Sequence, residues 1–362
     1  MKPFIILSWV LALSCFIYQP LASQESDIGR KEEHVFQVQY NGQYFSLLSQ
    51  AVIEQTYRSK RSTEWNTFYI YESFFDKITS ISGEYDDDEI DESAISSVAA
   101  ESEDVFILDS RIHKISFPTE IDTGKSGYYE YQKEYKDIAY FPVMFIPNLN
   151  KVDEYSIVVK HPSGVKINFD IIFTIKDVPY TIDTTSDKET ILKFSSIKYS
   201  DHLPYYPFNR FHAAVLTSVQ YQGNINPVTP ADFSQWYFNL LDSSVYSADF
   251  NTPDLHSAIT AAPTNRGKIK LIYDYVRKNI RYIAEEQGLN AIVPRDPTTV
   301  FTRKYGDCKD KAFLVSAIAK KYGITVYPVL VSTNPKLPFK AVHPTLFNHV
   351  ICLYEEGNER IY

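Results

Sequence analysis

The sequence predicts a multidomain protein, an N-terminal antiparallel β-sandwich-like domain followed by an α+β domain. Three observations carry this. The chain has 362 residues, enough for two or three units at roughly 100–200 residues each. Its 28 Tyr and 23 Phe against 12 Gly and 2 Met suit half-buried pleated surfaces. Near Thr264 the apolar repeat changes from two residues to three or four. With a net charge of −9 and a pI of about 5.4, the chain lacks the basic field that holds phosphate backbones, so nucleic acid is not an expected partner.

The opening "MKPFIILSWVLALSCFIYQPLASQ" has a lysine, an apolar run and then small residues, the grammar of a secretory signal peptide covering 1–23. Export to the periplasm, the cell surface or the medium is therefore expected, with no integral membrane segment once the leader is cleaved. Pro20 and the short apolar run disfavour an uncleaved anchor. Phe16, Ile17 and Tyr18 disfavour a lipoprotein at Cys15. After cleavage only Cys308 and Cys352 remain, too few for a disulfide framework.

Residues 30–200 read as the β-sandwich-like domain. In "HVFQVQYNGQYFSLL" alternating residues end at Asn41-Gly42, a two-residue hairpin signal. Pro162-Ser163-Gly164 separates two further β-rich runs, and "KDVPYTIDTTSDKETILKF" repeats the pattern. The acidic run "EYDDDEIDESAISS", 84–97, is expected to be a solvated loop. Asp86, Asp87, Asp88 and Glu89 could ligate calcium, but they lack the alternating spacing and glycine of an EF-hand loop.

Residues 201–262, rich in proline and aromatics, read as a connector with a short helix starting at Thr229-Pro230. In 263–362 the residues Ile269, Ile272, Val276, Ile280 and Ile283 predict one helix ending before Gly288. The Pro-rich "VPRDPTT" reads as a loop. A second helix should run from Cys308 to Gly323 with Ala312, Val315, Ile318 and Ala319 inward. "ITVYPVLVS" is a strand, 333–346 a loop, and "FNHVICLYEEGNERIY" a hairpin.

At the start of its helix Cys308 would face unpaired N–H groups and the positive end of the helix dipole, which favour a thiolate nucleophile. His349 is the candidate base, brought near by topology across 41 positions. A packed thiol and a hydrogen-bonded histidine are the plainer readings of these two residues taken alone. Cys352 falls on the opposite strand face from His349 and reads as packed, although a Cys308–Cys352 disulfide would inactivate the site. A zinc site from Cys308, His343 and His349 lacks paired ligand spacing.

"KYGDCKDKAFLVSAIAKKYGI" resembles the nucleophile motif and following helix of the transglutaminase-like cysteine superfamily, whose core is papain-like. "IYDYVRKNIRYIAEEQG" is similar to its preceding helix, and "FNHVI" to its histidine strand. "PVMFIPNLNKVDEYSIVVKHPSGVKINF" resembles the β domain of unknown function that bacteria fuse ahead of such cores. The resemblance implies Cys308 as nucleophile and His349 as general base and acid, with no cofactor. It implies an exported enzyme acting on amide bonds of a protein or peptide by acyl transfer, with cell-envelope components as possible partners.

The superfamily orients its histidine with an aspartate on the next strand, and none follows His349 here. Glu359 is a poor substitute, and the expectation is a chain truncated at its C-terminus. The alternative expectation is a non-catalytic envelope-binding or scaffold protein with a degenerate domain. Tyr282 or Gln287 could supply a second oxyanion donor beside the Cys308 N–H, although a core aromatic at the helix end is the plainer reading of Tyr282.

Overall fold

The computed structural model describes residues 28–42, 44–58, 66–101, 107–118, 122–147, 151–173, 178–198, 211–221, 224–225, 229–333 and 340–362. The expected leader lies outside the described residues, as do 201–210 of the expected connector.

Strands Ile28–Tyr40 and Phe45–Tyr57 pair along their whole length, because every second side chain of each is apolar or buried. The turn between them spans 41–44, longer than the two residues expected: Tyr44 N–H donates to Asn41 Oδ1 at 3.0 Å, and Gly42 sits at φ +95°, a conformation glycine adopts without steric cost. This hairpin lies in an eight-stranded sheet ordered Tyr180–Asp183, Glu189–Lys198, Lys151–Lys160, Ile28–Tyr40, Phe45–Tyr57, Ser126–Tyr135, Asp76–Tyr85, Asp88–Glu89. One pairing departs from the antiparallel expectation. Ile28–Tyr40 runs parallel to Lys151–Lys160, which is possible because the intervening chain crosses over through other strands.

Two smaller sheets cover this one side by side. Met144–Pro147, Phe211–Tyr221 and Lys166–Phe173 form the first, packing Ile146, Ile167 and Val215 against Phe36, Val38 and Leu192. Thr67–Glu72, Arg111–Ser116 and Ile95–Ala99 form the second, packing Phe68, Ile70 and Ile115 against Ile53, Tyr57 and Tyr129. Along Ile28–Tyr40 the two cores are separated by Arg30, Glu32 and His34, where Glu32 is ion-paired to Arg30 at 2.5 Å and hydrogen-bonded to His34 at 3.2 Å.

Two sequence expectations change here. The acidic run is not a loop: Asp86 and Asp87 take left-handed turn conformations between Asp76–Tyr85 and Asp88–Glu89, and Ile95–Ala99 is a strand. Solvent on its outer side lets the carboxylates stay hydrated while the backbone pairs. The expected connector contains strand Phe211–Tyr221, which pairs with Lys166–Phe173 in register from Lys166↔Gln220 to Phe173↔Ala213; its apolar Ala214 and Val215 are fully buried.

Five helices follow: α1 Pro230–Leu240, α2 Pro253–Ala261, α3 Asn265–Asn279, α4 Pro297–Arg303 and α5 Cys308–Lys321. Thr229 caps α1 with a reciprocal box to Asp232. α3 stops at Asn279, short of Ile283, because 281–282 turn extended and pair with Tyr305–Gly306. α4 begins inside the expected Pro-rich loop, with Asp296 accepting from Thr299 N–H at 2.8 Å; proline at the first helical position lacks only an N–H that would be unpaired anyway. α5 is buried nearly all round, Phe313, Leu314 and Ala317 included, so its inward face is wider than expected. Gly323 terminates it at φ +71°. Strands Tyr327–Val331, His349–Glu356 and Glu359–Ile361 complete this layer, around a core of Ile259, Ile272, Val276, Val300, Leu314 and Ile318.

The β-rich and helical parts meet through α1 and the segment after α3. Trp236 Nε1–H donates to Asp137 Oδ2 at 3.1 Å, and Phe233 stacks on Phe347 with centroids 5.0 Å apart. Glu285–Glu286 pairs in parallel with Ile107–Leu108, and Gly288 N–H donates to Asp109 Oδ2 at 2.6 Å.

Candidate active site

Cys308 is the first residue of α5. Asp307 caps that helix: its Oδ1 accepts from the N–H groups of Lys309 at 3.1 Å and Asp310 at 3.2 Å, and its own N–H donates to Asp310 Oδ2 at 3.2 Å. The Lys309 ammonium is ion-paired with Asp307. Gly306 is required by packing, since a Cβ there would lie 2.7 Å from Asp310 Cβ. These contacts explain the residues that surround the cysteine in "YGDCKD".

Asp310 is fully buried and held by Arg295, Nη1 to Oδ2 at 2.9 Å and N–H to Oδ1 at 2.8 Å. Arg295 Nη2 in turn reaches Glu285 Oε2 at 3.0 Å and its carbonyl at 2.8 Å. The helix that begins at Cys308 is thereby tied to the segment that carries Tyr282.

His349 opens strand His349–Glu356, opposite Val331. The N–H groups of its neighbour Val350 and of Lys309 lie near enough to the Cys308 sulfur to favour its charged form. The Tyr282 hydroxyl is near enough to this sulfur to act on it. Tyr237, from α1, is held by a 2.8 Å bond from its hydroxyl to the Ile292 carbonyl and lies close enough to feel the charges of Cys308 and Asp307. Among the described residues no hydrogen bond joins the His349 ring to the sulfur.

The thiolate expected from the helix terminus is not the resting form. Burial pushes the Cys308 thiol up and Asp307 adds to it, outweighing Lys309 and the two backbone donors. Burial likewise lowers His349, with Asp307 opposing, so the pair rests as neutral thiol and neutral imidazole. Burial outweighs Lys309 in holding Asp307 itself above the usual carboxylate range. Both tyrosine hydroxyls are raised, by burial first and by Cys308 next.

Cys352 is a free, packed thiol: its Sγ lies 3.8 Å from the Ala312 carbonyl, and burial pushes it up to about 12. Glu359 pairs with Glu356 across the hairpin and forms an ion pair with Arg266 at 3.5 Å. Glu356 is seven residues along the strand from His349, or about 23 Å at ~3.3 Å per residue, so Glu359 does not orient that ring. His343 is buried and bonded to Thr345 Oγ1 at 2.8 Å. No group of three or more metal-ligating side chains forms among the described residues.

Sequence reasoning named Cys308 and His349 and weighed Tyr282 and Gln287; it did not single out Tyr237, Arg295 or Asp310. The Asp307/Asp310 spacing is a readable capping signal. Tyr237 and Arg295 carry none, because only tertiary packing brings them to the helix start.

Residues 254–350 match the sequence profile described as the transglutaminase-like superfamily. A crystal structure of a proposed protease from Parabacteroides distasonis superposes with a TM-score of 0.60 at 16% identity, over 91% of this chain and 66% of that one; this shows a shared fold, and the chain spans just under two thirds of that protein's length. A proposed nutrient-binding protein from Legionella pneumophila aligns over 68% of this chain and 93% of its own at 8% identity, with a TM-score of 0.29, too loose to bear on the fold. No protein with a curated description matches the sequence. The segment 254–350, with Cys308 at the start of α5 and His349 on the strand beside it, is a domain of the transglutaminase-like superfamily.

Proposed function

We propose that this protein is an exported cysteine acyl-transfer enzyme that cleaves or exchanges amide bonds of a protein or peptide. The observation that carries the reading is the position of Cys308 as the first residue of the Asp307-capped helix α5, with Tyr282 near enough to act on its sulfur. As substrate enters, Cys308 Sγ gives its proton to His349 and attacks the carbonyl carbon. The oxyanion is taken by the Cys308 N–H, a first-turn group with no intrahelical acceptor, and by the Tyr282 hydroxyl. The C–N bond breaks as His349 returns the proton to the departing amine. Water or a second amine then attacks the thioester through the same histidine. A neutral resting pair suits this order, since the ion pair need exist only once the acyl group is bound.

The second reading, a non-catalytic envelope scaffold, is favoured by the raised thiol of Cys308. A peptide p-nitrophenyl ester with hydroxylamine as acceptor separates the two. The enzyme reading expects p-nitrophenol release and a hydroxamate product that are both lost in Cys308→Ala and His349→Ala. Release that persists in Cys308→Ala, or no release from the native protein, supports the scaffold. Export rests on the character of 1–23 and is checked by cell fractionation with N-terminal sequencing.

A further inference from the structure

Glu286 has no task in the scheme above, yet it lies close enough to Lys309 and Asp307, the residues either side of Cys308, to feel their charges. Its neighbour Glu285 turns to Arg295, and successive side chains of an extended segment point to opposite sides, so Glu286 faces away from that ion pair. Its charge acts on Tyr282, which is near enough to Cys308 to act on its sulfur, and it feels Lys309 and Asp307 in turn. Lys309 is already paired with Asp307. Glu286 is half-buried, and among the described residues its carboxylate makes no hydrogen bond or ion pair. The rim nearby is open: Tyr282 is 51% and Leu289 53% exposed. A carboxylate drawn partly out of water without a partner is costly unless something of opposite charge arrives.

We propose that Glu286 is a specificity-determining residue that receives a cationic group, an amine or guanidinium, carried by the substrate close to the carbonyl attacked by Cys308. The inference rests on the acyl-transfer reading and names the substrate class for that site. Burial holds Glu286 above the usual carboxylate range when the site is empty, so a bound cation would also be what fixes its charge. Backbone pairing of Glu286 with Leu108 of the β-rich part sets its position, which gives that part a share in substrate choice.

The test needs no known substrate. Methanethiosulfonate reagents bearing a trimethylammonium, a sulfonate or no charge are reacted with the full chain, and modification is read at the Cys308 peptide by mass spectrometry. Dividing each charged rate by the neutral-reagent rate removes changes in the thiol itself. The expected result is a cationic-to-anionic ratio well above one that falls by about tenfold in Glu286→Gln and is retained in Glu286→Asp, the size anticipated for one unit charge a few ångströms away under partial screening. A ratio unchanged in Glu286→Gln overturns the role of Glu286 and leaves the acyl-transfer reading standing. A native Cys308 that does not react even with the neutral reagent at pH 8.5 overturns both.

Discussion

Arg295 holds Asp310 by two hydrogen bonds at once, its guanidinium on one carboxylate oxygen at 2.9 Å and its main-chain N–H on the other at 2.8 Å. The carboxylate is fully buried and accepts a third hydrogen bond from the Asp307 main chain, so this pair fixes the start of α5 and with it the position of Cys308.

Removing one member of such a pair strands the other in a dry site. Asp310→Ala should lower the unfolding free energy by about 3–5 kcal/mol, read as a lower urea midpoint. An unchanged midpoint would show that the pair contributes nothing net.

The raised Cys308 thiol predicts a pH profile. Iodoacetamide labelling of Cys308 should be slower than that of a free thiol at pH 7 and still climb through pH 9 without a plateau, because the folded pKa lies above the ordinary 9.0. Asp307→Asn removes a charge that raises the thiol and should move the profile toward lower pH. A plateau below pH 8 in the native protein would mean that a thiolate is the resting form after all.

Tyr282→Phe separates chemistry from packing. The ring is half exposed and stays, so stability should change by less than about 0.5 kcal/mol. If the hydroxyl stabilises the oxyanion, turnover of the peptide ester should fall by roughly 10²–10³ with KM little changed. Equal turnover in the two proteins would leave Tyr282 as an aromatic wall of the site.

His343 makes the boundary between the two parts acid-sensitive. Its Nδ1 caps the turn Pro344–Leu346, while Nε2 is directed at the Phe141 carbonyl without closing a well-formed hydrogen bond. Burial lowers its pKa from 6.5 to about 4. As pH falls, the unfolded chain takes the proton first; the contribution is therefore constant above pH 6.5, lost between pH 6.5 and about 4, and level below that. The loss amounts to about 3 kcal/mol. Urea midpoints of the native protein and His343→Gln, compared across pH 7 to 4, should show a shallower slope in the variant; parallel slopes would remove His343 as the cause.

Much of the local structure was legible because it obeys local rules. The alternation in Val35–Tyr40 gave a strand, Thr229-Pro230 a helix start, Gly323 a helix stop, and the stretch from Cys308 a helix with the thiol in its first turn. The short helix at Pro297 was missed because two prolines around an aspartate signal a loop and a helix start equally well.

What the sequence by itself determined is which residues could do chemistry, Cys308 and His349, and the helix and strand that would present them. Only the tertiary structure decided that Ile28–Tyr40 would pair in parallel with Lys151–Lys160, that Tyr237 of α1 and Tyr282 after α3 would converge on the thiol, and that the thiol would rest protonated. The reason is physical: periodicity and capping act over a few residues and can be read along the chain, whereas strand order and the pKa of a buried group depend on which distant residues displace water around them.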